Sequence, residues 1–293
     1  MISRYVVLAL LVNAFACTVS KPKFYDAPVS DLGHIDLVLD SADYFALINN
    51  SFIKNEFGLV FQDTVYYGEM PSFDTYIAGK EAFMHVSLSK GYWQGKEGSG
   101  IAVFQSRKAG KRDSLYLAWK QFYTDSINIH DYKGSDYTLG EVMAYHPQFK
   151  TSSEPIFFMN LTSYSADSYR NWGFSDEQAI EGITMKDFMA GWGPELASRS
   201  FLHFNELYVR VNKNELKELQ SALRSLRYEM NGNTFTHVFN PTIIVQLVNH
   251  NSGSKYTQIK MLMDKTYNDT TLNISNNIKL ELKGNIATMK LQK

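Results

Sequence analysis

The pattern of apolar positions between Gly33 and Ser89 predicts a unit of one strand, one helix and three further strands. The first strand, His34–Asp40, is mostly apolar. A helix is predicted over Ala42–Phe57 because apolar residues recur there at intervals of three and four, as one buried helix face requires. Runs with the composition of β-strands follow at Leu59–Tyr67, Thr75–Ala78 and Glu81–Leu88.

The same order of elements is predicted again from residue 201. An alternating strand, Phe204–Val211, precedes a helix over Lys213–Arg227. Asn212 and Glu215 have the spacing of a capping box at the start of that helix. Extended runs follow at Tyr228–Asn231, Thr234–Phe239 and Pro241–Val248. Two copies of one βαβββ module are therefore predicted, within the ranges 33–110 and 201–265.

The region between the two modules, residues 111–200, is predicted to be an insertion or connecting segment that could border a pocket. Its elements are a helix or strand at Ser114–Tyr123, two strands at Gly140–His146 and Pro155–Thr162, and a helix at Asp176–Met189. After the second module, residues 266–293 are predicted to contain a β-hairpin with its turn at Lys283–Asn285.

Two histidines in the first module lie at positions that resemble a known family. His34 begins the frame His-x-x-Leu-x-Leu-x-Ser on the first strand, and His85 lies in Phe-Met-His-Val on the fourth. The module resembles half of a vicinal oxygen chelate protein, the superfamily of glyoxalases, bleomycin-resistance proteins and extradiol dioxygenases. The chain is also similar to uncharacterised secreted bacterial proteins of glyoxalase-like appearance. The resemblance implies an α+β fold whose paired βαβββ modules form curved mixed sheets around a cleft.

The same resemblance implies a metal site, because four equivalent strand positions converge on one ion in that superfamily. Carried over one at a time, these positions are His34, His85, Glu206 and Gln246. Two imidazoles and a carboxylate suit Fe²⁺, Zn²⁺, Mn²⁺ or Ni²⁺. Glu206 could also be a catalytic base. A neutral amide such as Gln246 is a poor ligand, and a slip of one residue in the alignment would turn Glu206 to the other face of its strand. His203 is a nearby substitute if the register shifts.

Each of the two histidines also has a purely structural interpretation, as a surface or edge residue of its strand. The chain is rich in aromatic residues, with 18 Tyr and 19 Phe. Tyr66, Tyr67, Tyr76 and Trp93 are candidates for an aromatic cleft that holds a small apolar or planar ligand, although Trp93 could equally anchor its glycine-rich loop.

The charge distribution and the lack of several known motifs argue against some classes of function. The formal net charge is −1 and no basic run occurs, so the chain lacks the clustered basic face that nucleic-acid binding requires. It contains no nucleophile elbow, His-Glu-x-x-His pair or phosphate-binding glycine loop. Two hypotheses remain: a metal-dependent enzyme of glyoxalase or dioxygenase type, and a metal-free protein that binds a small ligand on the same scaffold.

The N-terminal segment predicts export. Residues 1–16 have the charged start, apolar run and small residues of a signal peptide, and 17–32 are predicted to be a tether. Cys17, the single cysteine, follows the cleavage site as in a bacterial lipoprotein signal, so lipidation would attach the protein to a membrane. The alternative is a soluble exported protein. The protein is therefore expected in the bacterial periplasm or cell envelope, or else secreted from the cell.

Overall fold

The structure of the protein is a computed structural model that describes residues 25–67, 70–89, 95–134, 136–144, 153–249 and 253–292. Within these ranges the chain forms two mixed β-sheets, of eight and six strands, with helices between the strands. The predicted α+β class with mixed sheets is confirmed. The predicted signal peptide and Cys17 lie outside the described residues. Within the described ranges, no helix has both the length and the apolar composition of a membrane span.

The first sheet consists of two halves that have the same order of elements. Its strands, in chain order, are β1 (Ser30–Leu39), β2 (Leu59–Tyr67), β3 (Met70–Ala78), β4 (Phe83–Leu88), β5 (Gly100–Ser106), β6 (Ile127–Lys133), β7 (Thr138–Ala144) and β8 (Phe157–Tyr164). They are arranged as β2-β3-β4-β1-β5-β8-β7-β6. Helix α1 (Ser41–Asn49) and a π-helical turn (Ile53–Phe57) connect β1 with β2, and α2 (Arg112–Lys120) connects β5 with β6.

This arrangement corrects the predicted module boundaries. β1 pairs antiparallel with β5 at the centre of the sheet, and each of them pairs in parallel with the last strand of its own half. The partner of the first module is therefore the unit 100–164, much of which was predicted to be an insertion. The sequence pattern missed this unit because its edge strand β6 is mostly exposed and has no apolar alternation. β1 also begins at Ser30, inside the predicted tether.

The second sheet is formed by a third βαβββ unit and a C-terminal strand pair. Its strands are β9 (Phe201–Val211), β10 (Glu229–Asn231), β11 (Thr234–Thr236), β12 (Thr242–Leu247), β13 (Tyr256–Asn273) and β14 (Ile278–Leu291), arranged as β10-β11-β12-β9-β13-β14. The helix of this unit is numbered below as α7 (Lys213–Ser225), and Asn212 and Glu215 form the predicted capping box at its start.

The C-terminal hairpin has a different turn from the predicted one. β14 runs continuously through Lys283–Asn285 and pairs with β13, so the chain reverses between β13 and β14, near Ser275. Gly284 has a φ of +59° and lies opposite Tyr267, where the register between the two strands shifts. The glycine signal therefore marks an irregularity in strand pairing at which the backbone has a positive φ, as in the G1 type of β-bulge.

Four short helices lie between the two sheets in the sequence: α3 (Ala166–Asn171), α4 (Asp176–Glu181), α5 (Met185–Ala190) and α6 (Pro194–Ala197). Ser175 caps α4 as predicted. The single helix predicted over Asp176–Met189 is divided at Gly182, whose φ of +129° ends α4. These helices form a layer of their own against one face of the first sheet, with Phe83, Phe188 and Met189 in a shared buried cluster.

The alternation of β1 separates two environments. Ile35, Leu37 and Leu39 point into a core that continues into the second sheet. His34 and Asp36, on the opposite face, line a cavity beneath the helical layer. Because successive strand residues point to opposite faces, the strand that builds the core also places polar groups in the cavity.

The third unit is fixed to the first sheet by buried polar contacts. Trp119 of α2 donates from Nε1 to Ser221 of α7 at 2.9 Å. The carboxylates of Glu215 and Glu218 on α7 accept hydrogen bonds from backbone N–H groups at one end of β8, at 2.9 and 3.2 Å. Lys255 forms a buried ion pair with Glu215 at 2.6 Å. Because each buried charge has a partner, these groups tie the two sheets together rather than forming a second reactive site.

Candidate ligand-binding cavity

A cavity of about 630 Å³ lies between the first sheet and the helical layer. Strands from both halves of the sheet line its floor, and the segment Trp172–Trp192 covers it. His34 and His85, predicted from the first and fourth strands, both point into this cavity. The structure therefore brings these two histidines together on one face of the sheet.

His85 is held between two buried carboxylates. Its Nδ1–H donates to Asp36 Oδ1 at 2.9 Å, and Nε2 forms an ion pair with Asp74 Oδ1 at 3.2 Å. All three side chains are buried. Burial alone would lower the pKa of His85, but the charge of Asp36 and the hydrogen bonds to both carboxylates raise it to about 10. At neutral pH His85 is therefore an imidazolium whose two N–H groups are both used.

His34 differs from His85 in its protonation. Its Nε2 lies 3.6 Å from Asp36 Oδ1, and its ring stacks on Phe83 with centroids 4.4 Å apart. Burial lowers its pKa to about 4; the nearby Asp36 carboxylate opposes this effect and the charge of His85 adds to it. His34 is thus neutral at pH 7, beside a charged neighbour.

A second polar pair lies on β7 and β8. Asn160 Nδ2 donates to Glu141 Oε1 at 3.0 Å, and both side chains are buried and line the cavity. Burial raises the pKa of Glu141 to about 7; the hydrogen bond from Asn160 lowers it and the charge of Asp36 raises it. Glu141 Oε2 and Asn160 Oδ1 have no hydrogen-bond partner within the described part of the chain.

Aromatic side chains form the walls of the cavity in two groups. The first surrounds Trp192, whose ring lies 5.0 Å from that of Phe61 and 5.2 Å from that of Phe83. Tyr76 stacks on Phe61 at 4.9 Å and on His85 at 5.0 Å. The second group is Tyr137, Tyr164, Trp172 and Phe188, in which Tyr164 and Trp172 are 4.8 Å apart.

Of the four aromatic residues proposed from the sequence for the cleft, Tyr76 lines this cavity. Tyr66 and Tyr67 belong to β2, but their side chains are not among those that the structure describes, and Trp93 lies outside the described residues. Most of the wall instead comes from β7, β8 and the helical layer, in the segment that was predicted to connect two modules.

The polar side chains of the cavity differ from the metal site that the family resemblance implies. Both nitrogens of His85 lie within hydrogen-bond distance of carboxylate oxygens, so an ion bound by His85 would have to displace Asp36 or Asp74 from it. Among the described residues, no three His, Cys, Asp or Glu side chains are placed to hold one metal ion. The arrangement does not fit a site with two imidazoles and one carboxylate.

Glu206 and Gln246, the other two residues of the predicted ligand set, lie in the second sheet and do not line the cavity. Glu206 forms an ion pair with Lys260 at 2.8 Å and accepts a hydrogen bond from Tyr208 at 2.7 Å. Gln246 is exposed. The prediction that these residues converge with His34 and His85 is wrong, because β1 pairs with β5 and not with a strand of the third unit.

A substitution at Glu206 should therefore leave the cavity unaffected. The Glu206–Lys260 pair is partly exposed, and such pairs contribute at most about 1 kcal/mol. We expect Glu206→Gln to lower the unfolding free energy by no more than this, measured by urea denaturation. Binding of small aromatic compounds, measured by calorimetry, should match that of the wild type. A tenfold loss of binding would place Glu206 at the functional site after all.

Sequence reasoning missed Asp36, Asp74, Glu141 and Asn160. Asp36 carried a visible signal, since it is two residues from His34 on an apolar strand and shares its face. Glu141 and Asn160 carried a weaker one, since each is a polar residue flanked by apolar residues in a predicted strand. Their meaning depends on the pairing of β7 with β8, which brings them within hydrogen-bond distance.

Two solved structures resemble this chain at low sequence identity. No family model and no curated protein matches the chain. A solved structure of a hypothetical protein from Staphylococcus aureus aligns with 83% of this chain and 95% of its own, at 9% identity and a TM-score of 0.48. A xylose isomerase-like TIM barrel/4-hydroxyphenylpyruvate dioxygenase fusion protein aligns with 83% of this chain and 36% of its own, at 10% identity and a TM-score of 0.43. Both TM-scores are below 0.5, so neither likeness supports a functional assignment for this chain.

Proposed function

We propose that the protein binds a small ligand in the cavity of the first sheet, without a metal ion, on a scaffold of the vicinal oxygen chelate type. The observation that carries this proposal is the state of His85. Both of its ring nitrogens are engaged by the buried carboxylates of Asp36 and Asp74, so it forms part of the cavity floor instead of a coordination sphere.

The topology supports the choice of scaffold. Two βαβββ units share one sheet, with their first strands side by side at its centre. His34 on the first strand and His85 on the fourth face the same cavity, as the resemblance to this superfamily predicts. The metal and its chemistry do not follow from the scaffold, since one fold supports many functions.

The size and lining of the cavity support a ligand-binding role. A volume of about 630 Å³ lies within the range typical of small-molecule sites, and such sites combine apolar walls with a few polar groups. Here the walls are aromatic, and the polar groups are concentrated at His34, Asp36, Glu141 and Asn160. This composition suits a ligand with a flat or apolar body and a polar end.

A metal-dependent enzyme of glyoxalase or dioxygenase type is the second candidate. It is favoured by one observation, the placement of His34 and His85 at the same cavity. It would require His85 to lose its proton and a carboxylate partner before it could coordinate an ion. Because the charge of Asp36 holds the pKa of His85 near 10, this requirement makes the metal-free function the better supported one.

Metal analysis distinguishes these candidates. We expect protein purified without a histidine tag to contain less than one equivalent of Fe, Zn, Mn or Ni by mass spectrometry, with no difference between the wild type and His34→Ala. A stoichiometric ion in the wild type that is absent from His34→Ala would instead support the enzyme. The protein should be prepared in metal-supplemented medium, so that supply does not limit occupancy.

Ligand binding is tested by thermal denaturation with a panel of small aromatic compounds. We expect at least one compound to raise the melting temperature equally before and after treatment with EDTA. Leu139→Trp is the control, because Leu139 lines the cavity and is partly exposed, so a larger side chain there fills space without entering the core. A shift that persists in this variant would place binding elsewhere.

Export belongs to the same proposal. Its support is the sequence of residues 1–16 and the position of Cys17, which suggest that the ligand is captured in the periplasm or at the cell envelope.

A further inference from the structure

We propose that the ligand is a small amine, and that the cavity binds its ammonium group through Glu141 Oε2 and Asn160 Oδ1. This inference rests on the proposed function and gives the chemical class of the ligand. It has three independent supports: two buried acceptors without donors, an excess of carboxylates around the cavity, and aromatic walls.

The two acceptors are the most specific of these. Glu141 is 7% exposed and Asn160 is 4% exposed. Because a carboxylate can only accept, the hydrogen bond from Asn160 Nδ2 to Glu141 Oε1 determines the orientation of the amide. The amide nitrogen of Asn160 therefore faces Glu141, and the amide oxygen, Asn160 Oδ1, needs a donor from another group. It has no hydrogen-bond partner within the described ranges, and neither has Glu141 Oε2.

A buried acceptor without a donor costs about 1–3 kcal/mol, and more when it is charged. A ligand that supplies donors at this position removes the cost. An ammonium group carries several N–H donors and no acceptor, so one such group has enough donors for both oxygens. A carboxylate or phosphate ligand would instead add acceptors beside acceptors.

The charges around the cavity favour a cation in the same way. Four carboxyl side chains are among its lining residues, at Asp36, Asp63, Asp136 and Glu141, and the described lining includes no Lys or Arg. The one lining side chain that is positively charged at pH 7, His85, is shared between Asp36 and Asp74. This group of three therefore has a net negative charge. Opposite charges attract more strongly in a site shielded from water.

The aromatic walls of the cavity also favour a cationic ligand. Trp172, Trp192, Tyr76 and Tyr164 present ring systems to the cavity, and the faces of Trp and Tyr attract cations. The same rings provide apolar surface for the body of the ligand. An amine with an aromatic or aliphatic body requires both features: carboxylates that neutralise its charge and aromatic rings that contact it.

The ammonium should bind only when Glu141 is ionised. The titratable groups around Glu141 are Asp36 across the floor, Tyr137 and Tyr164 in the wall, and His130, its cross-strand partner on β6. Burial and the charge of Asp36 raise the pKa of Glu141 to about 7. Affinity should therefore increase between pH 6 and pH 8, and binding at pH 6.5 should release a proton.

Three matched probes test the assignment by isothermal titration calorimetry: 2-phenylethylamine, 2-phenylethanol and 3-phenylpropanoate, which end in an ammonium, a hydroxyl and a carboxylate. We expect the amine to bind about 10- to 100-fold more tightly than the alcohol at pH 8, as a charge-assisted hydrogen bond allows. The anion should bind most weakly. In Glu141→Gln the advantage of the amine over the alcohol should fall to less than about threefold.

The outcomes separate this inference from the proposed function. If the three probes bind equally, or if the preference for the amine survives Glu141→Gln, the amine assignment is overturned and ligand binding stands. If none binds the wild type, and the panel of aromatic compounds causes no thermal shift, ligand binding itself fails. The pH profile of the wild type needs no variant, and an amine affinity that does not change between pH 6 and pH 8 would also overturn the assignment. His130→Gln controls for titration of the neighbouring imidazole and should leave the profile unchanged.

Discussion

Replacement of His85 by leucine should lower the unfolding free energy by roughly 3–5 kcal/mol, the usual cost of removing one partner from a buried ion pair. Leucine has a similar volume, so the loss reports charge rather than packing. Asp36 and Asp74 are 7% and 1% exposed, and the variant would leave both carboxylates without the imidazolium between them. Urea denaturation at pH 7 measures the difference.

The control for this substitution is His34→Leu. His34 is neutral, its side chain is 23% exposed, and it contacts Asp36 only at 3.6 Å. We expect a loss below about 1 kcal/mol for this variant, because no buried charge loses a charged partner when a neutral imidazole is removed. Comparable losses from the two variants would mean that His85 is a neutral core residue, and the charged cavity floor would have to be abandoned.

The effect of His85 should also depend on pH in a defined direction. The folded protein holds the pKa of His85 near 10, above the ordinary value of 6.5. Its stabilising contribution is therefore fully present below about pH 6.5 and decreases as the pH rises toward 10. The difference in stability between the wild type and His85→Leu should be largest near pH 6 and smallest near pH 10. A difference that grows with pH would contradict this assignment.

Glu141→Gln should stabilise the protein at alkaline pH. Burial raises the pKa of Glu141 from 4.5 to about 7, so the folded protein retains a proton that the unfolded chain has lost. Stability falls as the pH rises from 4.5 to about 7, and the full penalty, on the order of 3 kcal/mol, is present above that pH. Glutamine keeps the acceptor for Asn160 and cannot ionise, so the penalty should be absent. Thermal and urea denaturation at pH 5 and pH 8.5 measure the gain.

Glu206→Gln is the matched control, because it makes the same change in the second sheet. Lys260 and Tyr208 hydrogen-bond to Glu206 and lower its pKa, against the effect of burial. Its substitution should not increase stability at any pH, whereas the gain from Glu141→Gln should grow between about pH 5 and pH 7 and stay constant above that. If the two variants respond alike, Glu141 is not in the buried environment that the amine site requires.

The proposed amine site lowers the stability of the unbound protein. A carboxylate buried without a full set of donors destabilises the unbound protein, and a ligand that supplies the donors recovers the loss. A variant that is more stable and binds the amine less well would show this exchange directly. Such an exchange is common where a binding site is formed by buried polar groups.

The local elements followed from the sequence because their causes are local. The apolar spacing of Gly33–Ser89 predicted β1, α1 and the strands after them, and Asn212 with Glu215 predicted the start of α7. These features depend on residues a few positions apart, so one sequence is enough to show them. The same reasoning indicated that His34 and His85 belong to the first and fourth strands of one unit.

Only the tertiary structure decided which unit shares a sheet with the first. Glu206 was aligned with His34 from the order of elements alone, but the strand that lies beside β1 is β5, of the unit 100–164. A single sequence says little about which distant strands pair, since any apolar strand can hydrogen-bond to the backbone at the edge of another. The cavity depends on that pairing, because it brings Glu141 and Asn160 to the same face as His34 and His85. Asp36 and Asp74 lie beside His85 through pairings within the first unit, and these carboxylates make it a cation against the effect of burial.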